Sequence, residues 1–124
     1  MDKEREERFS KRFRVRKRNE YLLVQRCGKK AHSKAFIGLV VFRQAPLSRL
    51  GITTSKRLGK AVQRNRVRRL VREAFRRGWM SVPDKVDVVV IAKKQAARMS
   101  NAAIFDDLGL LGRQLTRLKQ EAMG

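Results

Sequence analysis

The stretch KAVQRNRVRRLVREAFRR, residues 60–77, has the periodicity of a helix with two chemically different sides. At about 100° per residue, its larger apolar side chains fall on one side of such a helix. They are Val67, Leu70, Val71, Ala74 and Phe75. The seven arginines lie on or beside the opposite side, together with a single acid, Glu73. The pattern predicts a helix from about Ala61 to Arg77 that ends at Gly78 and turns an arginine-rich face away from the core.

A row of like charges runs along this predicted helix. Four arginines repeat at intervals of four residues: Arg64, Arg68, Arg72 and Arg76. Each step in the row costs roughly 0.2–0.5 kcal/mol, or about 1 kcal/mol for three steps. Burial of each larger apolar side chain contributes roughly 1.5–3 kcal/mol, so the helix can fold in spite of the row. Glu and Lys pairs would serve solubility equally well, so the arginines need another explanation.

The chain as a whole is strongly basic. Its 124 residues carry 32 Lys and Arg against 11 Asp and Glu, a formal net charge of +21. This imbalance opposes compaction and favours a polyanionic partner. Nucleic acid is the first candidate; an anionic membrane is weaker, because the apolar side of the helix is needed for the core. A charged helix face is most often merely solvated, but arginines of one sign, whose forks match phosphate oxygens, favour phosphate binding.

Apolar and turn patterns in the rest of the chain predict an α+β or mixed α/β fold. Strands are predicted at residues 35–42, 50–55 and 86–92. The third of them, VDVVVIA, is apolar on both faces, which predicts a central strand. Further helices are predicted at residues 17–26 and 102–121. The stretch GKKAHSK, which precedes the first strand, is predicted to be a turn.

The N-terminal composition and the single cysteine bear on domain organisation and compartment. Residues 1–13 are highly charged with both signs, and we expect a flexible segment there. Residues 14–124 are expected to form one domain. The chain lacks the hydrophobic segment of a secretory signal or a membrane span. Cys27 has no second cysteine for an intrachain disulfide, and one Cys with one His is too few for structural zinc. We therefore expect a cytoplasmic protein.

The chain offers no convincing catalytic constellation of its own. His32 is the only histidine and has no evident partner for acid–base cleavage of RNA. Two-metal nucleases need several clustered carboxylates, whereas this chain has two small pairs, Asp84 with Asp87 and Asp106 with Asp107. The second pair is expected on the polar side of the last helix. A binding subunit is favoured over an independent nuclease, and a ribosome-associated or general nucleic-acid-binding protein stays open as the alternative.

The stretch LGITTSKRLGKAVQRNRVRRLVREAFRR, residues 50–77, resembles the signature of the protein subunit of bacterial ribonuclease P. That family carries Gly-x-x-x-Ser-Lys-Lys/Arg-x-Gly, then Ala-Val-x-Arg-Asn-Arg, then a basic-apolar helix that ends in Arg-x-Ala-Phe. The matching residues are Gly51, Ser55, Lys56, Arg57, Gly59, Ala61, Val62, Arg64, Asn65, Arg66, Arg72, Ala74 and Phe75. The resemblance extends over residues 12–120, with similar flanking stretches in RVRKRNEYLLV and DVVVIAKKQAA.

The resemblance implies a fold and a function. The fold is a small single-domain αβββαβα sandwich with a mixed sheet, one strand more than the apolar patterns predict. Its crossover through the arginine-rich helix would be left-handed, against the usual right-handed rule. The function is that of a subunit of the endoribonuclease that removes the 5′ leader from precursor tRNA by hydrolysing one phosphodiester. A catalytic RNA would carry the Mg²⁺-dependent chemistry, and the protein alone is expected to be a monomer.

The expected RNA contacts fall into two groups. The RNA-binding group comprises Lys56, Arg57, Lys60, Arg64, Asn65, Arg66, Arg68, Arg69, Arg72 and Arg76. The leader-binding cleft comprises Arg14, Tyr21 and Phe36. Gln25 and Leu39 stand where the family usually has aromatic residues, so stacking of leader bases, worth about 1–3 kcal/mol per base, is expected to be weaker. No catalytic residue is assigned to the protein, and Mg²⁺ is expected to be held mainly by RNA.

Overall fold

The structure is a computed structural model, and it describes residues 28–42 and 47–123. Two helices and four strands form in this part of the chain, with two short 3₁₀ turns. In chain order they are β1 (Lys29–His32), β2 (Phe36–Phe42), β3 (Arg49–Thr53), a 3₁₀ turn (Lys56–Leu58), α1 (Ala61–Arg77), β4 (Val86–Ala92), a second 3₁₀ turn (Lys94–Arg98) and α2 (Asn101–Met123). The predicted segment 1–13, the predicted first helix and the residues Arg14, Tyr21, Gln25 and Cys27 lie outside the described residues.

The strands form one mixed sheet in the order β1-β2-β4-β3. β2 pairs antiparallel with β1 and with β4, while β3 pairs parallel with β4. β4 therefore lies inside the sheet, as its two apolar faces predict, and five of its seven residues in a row are buried. The connection from β3 to β4 passes through α1, as the resemblance implies, whereas the left hand of this crossover stays a prediction.

β1 is the element that the apolar patterns missed. The sequence predicts a turn here, because Ala31 is the one apolar residue of the four, and Lys29, Lys30 and His32 are polar. In the structure these four residues pair with β2 from Lys29 opposite Val40 to His32 opposite Ile37. An edge strand of this kind is formed by backbone pairing with its neighbour, so its side chains need not alternate clearly. The fourth strand implied by the resemblance is confirmed.

The turn between β1 and β2 is held by a carboxylate from α2. Asp107 accepts hydrogen bonds from the Ser33 hydroxyl at 2.7 Å and from the backbone N–H groups of Ala35 at 2.9 Å and Lys34 at 3.1 Å. It is buried, so its predicted place on the polar side of the last helix is wrong, whereas Asp106 is exposed as predicted. The reason is tertiary: the turn places three donors against this side of α2, and a buried carboxylate needs such partners.

Both helices pack on one side of the sheet and enclose the main core. Alternate strand residues such as Phe36, Val40 and Val88 face this side, in keeping with the two-residue period of a strand. α1 contributes its predicted apolar side, and α2 contributes Ile104, Leu108, Leu111 and Leu115. The opposite side of the sheet carries a smaller apolar cluster around Leu39 and Val89. The sheet thus has two unlike faces, and α1 lies on the face with the larger core.

Candidate nucleic-acid interface

The segment that precedes α1, residues 56–60, brings three cations to the N-terminal end of the helix. Leu58 is buried and anchors the 3₁₀ turn, while Lys56, Arg57 and Lys60 are exposed. Gly59 has a φ of 142°, a backbone conformation that L side chains rarely adopt. The helix then begins with the Lys60 N–H donating to the Gln63 side-chain oxygen at 3.3 Å. The positive end of the helix dipole adds to these cations, so this end attracts anions.

The helix itself has the two sides that its sequence predicts. Val67, Leu70, Val71 and Ala74 are buried, and Phe75 is partly buried against the same core. The other side carries the arginine face, by which we mean Arg64, Asn65, Arg68, Arg69 and Arg72. Arg64 and Arg68 are half-buried, while the other three are exposed.

Most of the charge on the arginine face is not neutralised within the protein. In the part of the chain that the structure describes, Arg64, Arg68 and Arg69 have no acidic side chain within ion-pair distance. The Nε of Arg64 is buried without a hydrogen-bond partner, which is unfavourable for a charged group. These guanidinium groups are therefore suited to an external anion.

Arg66 and Arg76, which are predicted to bind RNA, also make contacts within the protein. Arg66 donates through Nη2 to the Met99 carbonyl at 2.6 Å and to Asn101 Oδ1 at 2.8 Å, and through Nε to Asn101 Oδ1 at 3.0 Å. This guanidinium fastens α1 to the first turn of α2. Arg76 pairs with Glu73 at 2.5 Å within α1. A contribution of Arg66 and Arg76 to RNA binding stays a prediction, and the structure gives each of them a structural contact.

Glu73 is the acid that neutralises the C-terminal end of α1. Its carboxylate accepts from Arg76 and, through the other oxygen, from Arg77. Burial raises the pKa of Glu73. The hydrogen bonds from Arg77 and Arg76, together with their positive charges, lower the pKa by more than burial raises it, so the net shift is downward. Unneutralised positive charge is thus concentrated towards the N-terminal end of α1, where the cations of residues 56–60 also lie.

A basic groove that the sequence did not predict adjoins this end of the helix. It has a volume of about 460 Å³. Its lining residues are Arg57, Leu58, Gln63, Lys94, Gln95, Ala97 and Arg98. The parallel pairing of β3 and β4 explains it, because the turns that follow two parallel strands leave the sheet at the same edge. The cations of AKKQAAR, directly after β4, were the available signal for Lys94 and Arg98.

Phe36 is not placed to line a cleft for the 5′ leader, and this prediction is corrected. Its side chain is 0% exposed and packs in the core between the sheet and the helices. Leu39 points to the opposite face of the sheet, because it lies three positions after Phe36, and residues an odd number of positions apart on a strand face opposite sides. A base could reach Phe36 only if the core opened.

The carboxylates of the described residues do not form a metal site. Asp87 is engaged by Arg49 in a two-pronged ion pair, with Nε to Oδ1 at 2.8 Å and Nη2 to Oδ2 at 2.7 Å. Asp84 is exposed. Within residues 28–42 and 47–123 there is no group of three or more His, Cys, Asp and Glu side chains that could hold a metal ion. Neither α1 nor α2 has an apolar segment long enough to cross a lipid bilayer.

The fold and the site together define a class: a small α+β protein whose basic helix and adjoining basic groove are suited to the phosphates of a nucleic acid. The chain matches the ribonuclease P family over residues 9–116. It therefore belongs to this family, the protein components of the tRNA-processing endoribonuclease ribonuclease P.

Individual relatives agree with this family assignment. The ribonuclease P protein component of Desulforapulum autotrophicum is 36% identical over 109 residues, which cover 88% of this chain and 93% of the relative. Among solved structures, the RNase P protein of Thermotoga maritima superposes with a TM-score of 0.72 at 35% identity, over 81% of this chain and 96% of that protein. The RNase P protein of Staphylococcus aureus superposes with a TM-score of 0.75 at 28% identity, over 80% and 91% of the two chains.

Proposed function

We propose that this chain binds the catalytic RNA of ribonuclease P through the arginine face of α1 and the basic groove beside it. In the assembled enzyme it would assist the Mg²⁺-dependent removal of the 5′ leader from precursor tRNA. The observation that carries the proposal is the set of three guanidinium groups on α1, those of Arg64, Arg68 and Arg69, which have no acidic partner among the described residues.

The electrostatic reason for such a subunit is the charge of its partners. Catalytic RNA and precursor tRNA are both polyanions, and their approach is opposed by repulsion between phosphates. A protein with a net charge of +21 reduces this repulsion and releases condensed counterions when it binds. Arg57 and Gln63 line the groove, and Arg64 follows Gln63 on α1, so one phosphate backbone can contact the groove and the arginine face in succession.

The proposed division of labour leaves the chemistry to RNA. The described carboxylates do not offer a set of ligands that fits a protein-held Mg²⁺ ion, so we assign the metal mainly to RNA. The exposed amide of Asn65 lies among the arginines, where it can hydrogen-bond a phosphate or a water molecule of a hydrated metal ion. The protein residues contribute binding and orientation.

The leader is proposed to bind on the other side of the sheet from α1 and α2. That side presents the apolar side chains Ile37, Val41 and Ile91 around Leu39 and Val89. Arg14 and Tyr21, the predicted cleft residues of the N-terminal part, lie outside the described residues and remain part of the proposal. We further propose that the protein alone is a monomer and that it acts in the cytoplasm on newly made precursor tRNA.

Reconstitution tests this function. The full chain is mixed with the catalytic RNA of ribonuclease P at low Mg²⁺, and release of the 5′ leader from precursor tRNA is followed on a gel. We expect the chain to stimulate release, and a variant with Arg68→Gln and Arg69→Gln to stimulate it less. No stimulation, together with co-purification of ribosomal RNA from cells, would instead support a ribosome-associated protein.

A further inference from the structure

A second groove lies beyond the C-terminal end of α1, away from the groove at its N-terminal end. It is open, has a volume of about 680 Å³ and is lined chiefly by Trp79 and by residues of α2. Its apolar members include Phe105, Gly109 and Leu110, and its charged members are Asp106 and Arg113. Trp79 is 47% exposed and Leu110 is 50% exposed, although both are large apolar residues.

The backbone next to Trp79 is packed against both helices, and its indole contacts the ring of Phe105. The next residue, Met80, is 1% exposed, and its N–H donates to the Ala74 carbonyl at 3.1 Å. α2 approaches this segment so closely that a Cβ on Gly112 would lie 2.5 Å from the Ser81 nitrogen. The indole meets the ring of Phe105 edge to face, with centroids 4.9 Å apart. The wall of the groove is thus formed before any partner binds.

Charge decides which partner fits this apolar wall. The Arg77 guanidinium, itself held by Glu73, lies 5.1 Å from the centre of the indole ring, and Arg113 supplies a further cation to the groove. A second copy of the chain would bring another net charge of +21 against this surface, which is unfavourable. An aromatic and apolar wall next to cations is the combination that binds unpaired nucleotides.

We propose that this groove binds one unpaired nucleotide of RNA, with its base against Trp79 and Leu110 and its phosphate on Arg113. The carboxylate of Asp106 repels a phosphate at its own position and can accept a hydrogen bond from an amino group on the base, as from cytosine N4. The inference rests on the proposed RNA partner. It adds a contact with a base, whereas the arginine face is proposed to contact phosphates. Bases inside a duplex cannot enter such a groove.

The chain contains one tryptophan, so its fluorescence reports on this groove alone. The full chain is titrated with an eight-nucleotide oligocytidylate and, separately, with a ribose-phosphate oligomer of the same length that lacks bases. We expect the oligocytidylate to quench the indole saturably and the abasic oligomer to bind without quenching. Equal quenching by both oligomers would overturn the proposal, since phosphates alone would then account for the signal.

Variants test the same groove by affinity, measured by fluorescence anisotropy of labelled oligomers. Trp79→Ala and Leu110→Ala should each weaken oligocytidylate binding about 5-fold or more, the lower end of the range for stacking of one base, and leave abasic binding unchanged. Phe42→Leu is the matched control, because Phe42 is a large side chain with 44% exposure outside the groove. Circular dichroism verifies that the variants are folded.

Two results with the variants would also reject the proposal. One is unchanged oligocytidylate affinity in both groove variants; the other is a dimer in sedimentation that Leu110→Ala abolishes, which would make a second copy the occupant. The leader-release assay separates this inference from the proposed function. Inactive reconstitution with normal base-dependent quenching would overturn the function and retain the groove. Active reconstitution without such quenching would overturn the groove alone.

Discussion

Replacing Arg68 and Arg69 with glutamine tests whether the arginine face contacts phosphates. Arg68 is half-buried, Arg69 is exposed, and neither has an acidic partner in the described part of the chain. Their removal therefore breaks no internal ion pair, and we expect the free energy of unfolding to change by no more than about 0.5 kcal/mol. Glutamine keeps much of the length and the hydrogen-bonding capacity of arginine, so the change is mainly one of charge.

The expected size of the effect follows from counterion release. Each phosphate contact contributes about 0.7–0.9 to the slope of log affinity against log salt concentration, so loss of two contacts reduces the slope by about 1.4–1.8. Salt that rises fourfold, from about 50 to about 200 mM, then reduces the ratio of wild-type to variant affinity by about 7- to 12-fold. The variant should bind much more weakly at low salt and approach the wild type at high salt.

Binding of the catalytic RNA is measured by filter retention or fluorescence anisotropy at four or more salt concentrations. The matched control is Lys29→Gln with Arg117→Gln, which removes two exposed cations outside α1 and changes the net charge equally. A slope that falls equally in both double variants would refute the reasoning, since net charge and not the arginine face would then control affinity. An unfolded variant in circular dichroism would refute the assigned orientation of these side chains.

Three further predictions concern the internal contacts. Arg66→Ala removes the contacts of the guanidinium with Met99 and Asn101 and should lower the free energy of unfolding by roughly 1–3 kcal/mol in urea titrations. Asp107→Ala leaves the turn between β1 and β2 without its acceptor and should cost about 3 kcal/mol in the same measurement. Glu73 has a lowered pKa in the folded state, so its stabilising contribution is complete above about pH 4.3 and is lost as the pH falls through the lowered pKa. Glu73→Gln should therefore flatten the acid limb of stability in thermal melts.

Each of these predictions has a result that contradicts it. Arg66→Ala is compared with Arg69→Ala on the same helix, and equal stability of the two variants would show that the contacts of Arg66 contribute nothing. Asp106→Ala is the control for Asp107→Ala, because Asp106 is the exposed neighbour of Asp107. Equal losses of unfolding free energy in the two variants would show that the hydrogen bonds of Asp107 do not stabilise the turn. An acid limb that keeps its full steepness in Glu73→Gln would assign the titration to other carboxylates.

Local pattern sufficed for the elements that bury a regular apolar side. α1 begins and ends where its periodicity and Gly78 indicate, and β4 is central as its two apolar faces predict. The basic composition and the arginine signature also sufficed to identify the family, and the match to the ribonuclease P family over residues 9–116 confirms it. These properties depend on residues close in the chain, and the helical period or the spacing of a motif expresses them directly.

Tertiary structure alone decided which individual side chains are exposed and able to contact a partner. The sequence predicts an outward-facing Asp107 and an RNA-binding Arg66. Each of them contacts a protein partner that lies more than thirty positions away in the chain. Phe36 is buried because of the face of β2 to which it belongs, and Lys94 and Arg98 join Arg57 because β3 and β4 are parallel. A sequence pattern gives the period of an element, but the partner of a side chain depends on which elements pack together.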